Sequence, residues 1–375
     1  MRVLHLFSNA KWTGPAEPAL NLCVALRGLG VDADFACAPD AGQSINKVVE
    51  TARDRGIEPI LRFFLCKHLH PIKNTWDRLA LTQFLRVHSY DLIHCHLDND
   101  HRIAVNPAWK RRIPLVRSSY AGTGFEANAL YAKLLQRTAR LIEPSALAAE
   151  QDAAHFAYPR EQMAVVRGAV DTERFDPARE VPDARRWLGI PPNAFVVGIV
   201  ARMQAHRRFE DLWQAIRLLA DAVPNCHAIV VGRGTKQESV GEQPVKALGL
   251  GDRVHFPGFV DGENYVGMLK AFDAKVFLVP GSDGTCRAVR EAMAMAKPPV
   301  VADRGMLREI VDHDKNGLVC EGTPQALFEA LHGLATDRPR ARALGRAARD
   351  KAVHVFSLES QAAAVRDIYE SMLTA

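Results

Sequence analysis

Arginines, glycines and carboxylates recur in this chain just where apolar runs end. Arg202 follows the run AFVVGIVA, and after the residues MQAH come Arg207 and Arg208. Arg233-Gly234 follows AIVVG. The run VFLVP leads into Gly281-Ser282-Asp283-Gly284-Thr285-Cys286, and a helical pattern then carries Arg287, Arg290 and Glu291. Near the start of the chain, Gly14 stands just ahead of a helix beginning near Ala16. Exposed backbone N–H groups at a helix start can hold a phosphate, and cations beside them suit it. Each residue alone has an ordinary explanation. Arg202 or Arg207 reads as a solvated helix-start residue, Gly14 as a turn, and Glu291 as an exposed helix position. The Gly232-Arg233-Gly234 triplet lacks the third glycine of a dinucleotide fingerprint. Their shared position, at one strand end after another, is what singles them out.

Such positions must be built by alternating strands and helices. RVLHLF (2–7) reads as a strand, and residues 16–29 as a helix with Ala19, Leu22, Leu26 and Leu29 on one face. Further strands are expected at 32–38, 91–96 and 113–119. Residues 168–193, rich in Pro, Arg and Asp, read as a linker, after which the pattern begins again. Strands at 194–201, 225–232, 253–259, 274–280 and 298–302 complete a second set. The alternation predicts an α/β chain of two Rossmann-like halves with parallel sheets, whose ligands sit beyond the carboxyl ends of the strands. The expected division is 1–180 and 181–357, with a C-terminal helix over 358–375 that packs on either half.

The bulk properties narrow the class. Of 375 residues, 48% are hydrophobic and 24% charged, enough to bury large cores. No window approaches a membrane span, and MRVLHLFSNAKW lacks the long apolar run of a signal peptide, so a cytoplasmic location is expected. The 7 cysteines form no CxxC pair and lie mostly in apolar stretches, as buried thiols do. The net charge of +5 does not by itself imply nucleic acid; it suits anionic ligands such as a phosphate-bearing substrate or a membrane surface.

The order of these motifs resembles the retaining GT-B glycosyltransferases of the family 4 type, over nearly the whole chain. The family's arginine, four residues, then lysine-glycine becomes Arg202, MQAH, Arg207-Arg208. Its pair of glutamates separated by seven residues becomes Asp283, GTCRAVR, Glu291, followed by Ala292-Met293-Ala294 and Pro299-Val300-Val301-Ala302. "GMLREIVDHDKNGLV" and "GAVDTERFDP" resemble two further family segments.

The resemblance implies a nucleotide-sugar donor in the C-terminal half and a glycan or lipid-linked acceptor in the N-terminal half. Glu291 would accept hydrogen bonds from the ribose, since a carboxylate takes two vicinal hydroxyls at once. Arg202 and Arg207 would hold the diphosphate and neutralise the leaving group. The backbone N–H groups of Gly284, Thr285 and Cys286 would reach phosphate or sugar, and Asp283 would contact sugar hydroxyls. Gly14 would let the first loop approach the diphosphate. No metal cofactor and no nucleic acid are expected. The sequence departs from the family in Asp283 for glutamate, Arg207 for lysine, Arg208 for glycine, Thr13-Gly14 for Gly-Gly, and Tyr120 near a usual histidine. These departures motivate a second reading, a non-catalytic sugar-nucleotide or glycan-binding protein on the same fold. A nucleotide-sugar epimerase is a third.

Two other groupings stand out. His94-Cys95-His96 with Asp98 and Asp100 mimics a metal site, although His94 alternates along a strand and a buried histidine explains it. Residues 61–78 and 108–113 interleave aromatics with Lys, Arg and His, which suits either peripheral contact with the inner face of a membrane or a helix pair at the rim of the acceptor site.

Overall fold

The computed structural model describes residues 1–39 and 46–374, with the side chain of Thr285 left out. These residues form two compact units. The first comprises Met1–Ala169, Ser282–Thr285 and Leu358–Ala375, and the second Val170–Gly281 and Cys286–Ser357.

The first unit is built on six parallel strands. They are β1 (Arg2–Phe7), β2 (Asp32–Cys37), β3 (Leu92–Cys95), β4 (Leu115–Ser118), β5 (Arg140–Glu143) and β6 (Met163–Val165), in the order β2-β1-β3-β4-β5-β6. Side chains on a strand alternate between faces. Val3 and Phe7 pack with the helices Ala16–Gly28 and Leu358–Leu373, through Leu20, Val365 and Tyr369. Leu4 and Leu6 face the other way, onto Leu81, Phe84 and Ile103 of the helices Pro71–Val87 and Asp98–Arg111. Both faces are covered, which is why RVLHLF is nearly continuous in apolar residues.

The second unit repeats the plan with β7 (Phe195–Val200), β8 (Cys226–Val231), β9 (Val254–Gly258), β10 (Ala274–Phe277), β11 (Pro299–Ala302) and β12 (Leu318–Cys320). Their order is β12-β11-β10-β7-β8-β9. Phe195, Val197 and Ile199 meet Leu212 and Trp213 of the helix Phe209–Ala222, while Val196 meets Phe272, Val289 and Met293 on the opposite face.

Two differences from the sequence reading have simple causes. Strands β5, β6 and β12 were not separately expected; they are 4, 3 and 3 residues long, too short for a periodicity to show. Residues 168–193 are not a bare tether, because Val170, Phe175, Ala184 and Ile190 are buried in the second unit's core. Arg185 clamps this segment, donating to Ala271 O at 2.8 Å and to Asp273 Oδ2 at 2.8 Å.

Candidate functional site

In an open parallel sheet the strand order reverses at one point, and a crevice opens there beyond the carboxyl ends. In the second unit that point lies between β7 and β10, which are hydrogen-bonded neighbours although far apart in sequence. Arg202 and Arg207 follow β7. Asp283 begins the helix Asp283–Ala294 that follows β10, and Glu291 lies farther along it. The predicted arginines and the glutamate therefore belong to the two strands flanking the switch.

The loop after β7 is shaped by its neighbours. At Gly232 an added Cβ would lie 2.3 Å from Ala201 O, and at Gly234 it would lie 2.3 Å from Met203 O. The glycines of the incomplete fingerprint thus let the loop after β8 press against the backbone on both sides of Arg202. Arg207 ends a single 3₁₀ turn, Ala205–Arg207, and Arg208 adopts the left-handed conformation at φ 58°. That conformation suits glycine, since it costs an L residue roughly 1–2 kcal/mol. Here Arg208 is held by an ion pair to Asp211 at 2.6 Å.

Arg202 and Arg207 stand apart from such pairings. Among the described residues, neither the Arg202 nor the Arg207 guanidinium has a carboxylate partner, and Arg207 Nε is buried without a hydrogen bond. Burial lowers the pKa of Arg207, and the charge of Arg202 lowers it further. Two like charges are held close together, an arrangement that an anion would relieve.

Glu291 is buried and oriented. The Tyr265 hydroxyl, from the helix Gly262–Ala271, donates to Glu291 Oε2, and Arg287 Nε lies 3.2 Å from Oε1. Burial, then the Glu291 charge, pushes the Tyr265 phenol well above its usual pKa, so it remains a donor. Beneath them Lys275 is wholly buried on β10 and donates to Val276 O at 2.9 Å. Burial pulls its ammonium down to about 7, while the Glu291 carboxylate acts in the opposite sense. Neither Tyr265 nor Lys275 was anticipated. Tyr265 carries no local signal, and Lys275 is masked by the strand around it; Arg287 was readable as the residue one turn before Glu291.

Of the other predicted residues, Cys286 has a fully buried side chain, which leaves only its backbone to face a ligand. The side chain of Thr285 lies outside the described residues. Asp283 and Gly284 group with the first unit, where Asp283 N–H donates to Tyr120 O at 3.3 Å. A Cβ built on Gly284 would lie 3.7 Å from Gly14 Cα. At Gly14 itself an added Cβ would meet nothing within 4 Å, so no packing within the chain demands glycine there.

The first unit also buries a column of histidines at the end of β1 and β3. His5 Nδ1 and His96 Nε2 share a hydrogen bond of 3.0 Å, and His96 Nδ1 meets Tyr120 Oη at 2.7 Å. His94 joins Ser118 Oγ at 2.7 Å through Nε2 and the Tyr369 hydroxyl through Nδ1. Burial lowers all three imidazole pKa values, that of His5 to about 3, so the rings are neutral. The ring nitrogens lie within 4.8 Å of one another and are the group among the described residues with the spacing of metal ligands. The rings are stacked or tilted at 17–40°, and His5 Nδ1 and both nitrogens of His94 and His96 already take part in hydrogen bonds. The nearby acids have other work. Asp98 pairs with buried Arg117 at 2.8 Å, and Asp100 accepts the N–H groups of Leu97 and Ser8 at 2.9 Å each.

Farther along the same sheet, Glu143 of β5 is buried beside Asp152 of the helix Ala146–Phe156. Burial, reinforced by the Asp152 charge, pushes the Glu143 carboxyl well above the usual range. Asp152 accepts the Phe125 N–H at 2.8 Å, which opposes the upward push that burial gives its own carboxyl.

Residues 180–351 match the family described as glycosyl transferases group 1, and residues 13–174 match glycosyltransferase family 4. The lipopolysaccharide core biosynthesis mannosyltransferase LpsB of Rhizobium meliloti is 30% identical over 56% of this chain and 61% of its own length, so the match spans about three-fifths of that relative. A D-inositol 3-phosphate glycosyltransferase of Corynebacterium urealyticum is 27% identical over 79% of this chain and 75% of its own. Among solved structures, a glycosyltransferase from Rickettsia africae superposes with a TM-score of 0.83 at 14% identity, covering 99% of this chain and 98% of the other. Anabaena HepE, solved in complex with UDP and glucose, gives 0.78 at 20% identity, covering 99% and 100%. At these identities the structures speak for the fold.

Proposed function

Because this chain belongs to the family 4 glycosyltransferases of GT-B architecture, we propose that it moves a hexosyl group from a UDP- or GDP-sugar to a glycan or lipid-linked acceptor, with retention of configuration. The observation that carries the reading is the pair of neighbouring guanidinium groups, Arg202 and Arg207, without carboxylate partners among the described residues at the switch point of the second sheet. A diphosphate supplies the missing charge. Glu291, turned by Tyr265 and Arg287, accepts the ribose hydroxyls. The N–H groups of the first turn after β10, at Gly284, Thr285 and Cys286, approach the phosphate or sugar, and Asp283 the sugar hydroxyls.

In this reaction the bond from the anomeric carbon to the diphosphate oxygen breaks, and the acceptor oxygen bonds to the same face. The acceptor's proton passes to the departing diphosphate. Catalysis then rests on positioning and on the arginines, which meet a charge that grows as the bond breaks. Neutralisation by arginine makes a metal unnecessary in this scheme. The UDP and glucose bound by HepE and the mannosyltransferase relative support a hexose donor. The same relative favours an acceptor in lipopolysaccharide synthesis, and a lipid-linked acceptor of that kind or of another cell-surface polysaccharide would set the reaction at the inner membrane face.

Steady-state kinetics test the assignment. Arg207→Ala removes charge felt most in the transition state, so kcat should fall about 10²–10³-fold, as for loss of an oxyanion donor. Glu291→Gln weakens a contact made in ground and transition states alike and should chiefly raise the donor KM. If Arg202→Ala and Arg207→Ala both leave kcat within a few-fold of wild type, the leaving-group clamp is elsewhere. A wild-type protein that binds nucleotide sugars and neither transfers nor hydrolyses them would favour the binding-protein reading instead.

A further inference from the structure

The helix Pro71–Val87 has two apolar sides. At 100° per residue, its buried residues Asn74, Asp77, Leu81, Phe84 and Leu85 occupy one side, toward the first unit's core. On the opposite side Ile72, Trp76 and Leu79 fall within about 60° of arc, and they are 78%, 49% and 69% exposed. Val87 continues the stripe one turn beyond Gln83. A surface helix normally turns polar residues outward. Here the outward stripe is the more apolar one. Exposed Phe64 extends it, its ring 5.1 Å from that of Trp76.

The polar residues around the stripe carry one sign. From 61 to 90 the chain has Arg62, Lys67, Lys73, Arg78 and Arg86 against a single acid, Asp77. That acid is buried, accepting the N–H groups of Phe64 at 2.7 Å and Leu65 at 3.0 Å. No ion pair among the described residues engages Lys67, Lys73 or Arg86. Arg111 of the neighbouring helix donates to Leu85 O at 3.0 Å.

We propose that this face docks on an anionic lipid bilayer, with Ile72, Trp76 and Leu79 entering the headgroup boundary and the flanking cations meeting lipid phosphates. An interfacial helix requires an apolar stripe, an aromatic at its edge and a basic surround. A nucleic acid would match the charge and leave the isoleucine and leucine unsatisfied. A second copy of the chain would have to oppose two basic faces. The inference gives the lipid-linked acceptor of the proposed function its membrane, and it rests on that reading for its purpose alone. Docking is therefore measured without donor or acceptor, so that the two readings fail separately.

The full chain is sedimented with vesicles of phosphatidylcholine, with and without phosphatidylglycerol. Binding to the anionic vesicles alone is expected, and raised salt should weaken it. The double variant Ile72→Glu/Leu79→Glu should bind at least tenfold more weakly at an unchanged Tm, since both positions are exposed. Lys67→Gln/Lys73→Gln should lose about fivefold for each charge removed. Equal binding by wild type and the Ile72→Glu/Leu79→Glu variant would overturn the proposal, as would no binding by wild type. Sedimentation velocity without lipid gives the remaining outcome. A wild-type dimer that becomes monomeric in the same variant would make the face a self-association surface and overturn it as well.

Discussion

Glu143 holds a carboxyl group away from water with a second carboxyl for a neighbour, and its behaviour with pH can be worked out. Its folded pKa lies above the unfolded value, raised by burial first and the Asp152 charge second. The stability it contributes is fully present below the unfolded pKa of about 4.3 and is lost as pH rises toward the folded value, at about 1.4 kcal/mol per pH unit. Glu143→Gln keeps the shape and the donor and cannot ionise. Its Tm should exceed that of wild type at mildly alkaline pH, and the difference should shrink to nothing as pH approaches the unfolded value. A difference independent of pH would mean that Glu143 is not the protonated member of the pair. The histidine column acts in the opposite direction. His5, His94 and His96 are neutral when folded and gain protons when unfolded, so their contribution is lost as pH falls below about 6.5. The two groups offset each other over the acid range, and the glutamine variant should leave a steeper loss of stability on the acid side.

Element by element, what could be read from the chain was whatever depends on local pattern. Apolar runs announced β1, β7, β8 and β10; Arg202 and Arg207 were singled out because they stand just past one of them, and Glu291 because the family motif carries over to it. Their partners were not legible. Tyr265 reaches Glu291 across the packing of two helices, and His5 meets His96 only because β1 and β3 are neighbours in the sheet. Lys275 was hidden for a different reason. A strand buried on both faces reads as apolar, and one long amine within it does not break the pattern. The Gly232-Arg233-Gly234 triplet was seen and assigned to no partner, because its purpose is close approach to the loop holding Arg202. Gly234→Ala tests that purpose. A Cβ 2.3 Å from Met203 O must displace one loop or the other. Transfer activity should fall at least tenfold, with a Tm loss corresponding to about 1–3 kcal/mol for the overpacking. Unchanged activity would show that Arg202 is positioned independently of this contact.

On the scale of the molecule, the path of the chain is decisive. The first unit is completed by the helix Leu358–Leu373, which supplies Ala362, Val365 and Tyr369 to its core and the Tyr369 hydroxyl to His94. A chain ending at Ser357 should therefore lose stability in the first unit selectively. Each large buried side chain removed costs about 1.5–3 kcal/mol, and His94 Nδ1 loses its partner. Calorimetry should show one transition moved down and the other nearly in place. A single transition moved down as a whole would mean that the units unfold as one. The same path sets a clock for biosynthesis. Domains generally fold as they emerge, N-terminal first, but here the first unit's apolar face waits for residues encoded after the whole second unit. At roughly 5–20 residues per second, the interval between Ala169 and Tyr369 is about 10–40 s. For that time the sheet surface around Val3, Phe7 and Leu20 is without its final cover, a window in which a nascent chain needs a chaperone or a slow neighbour more than it needs stability.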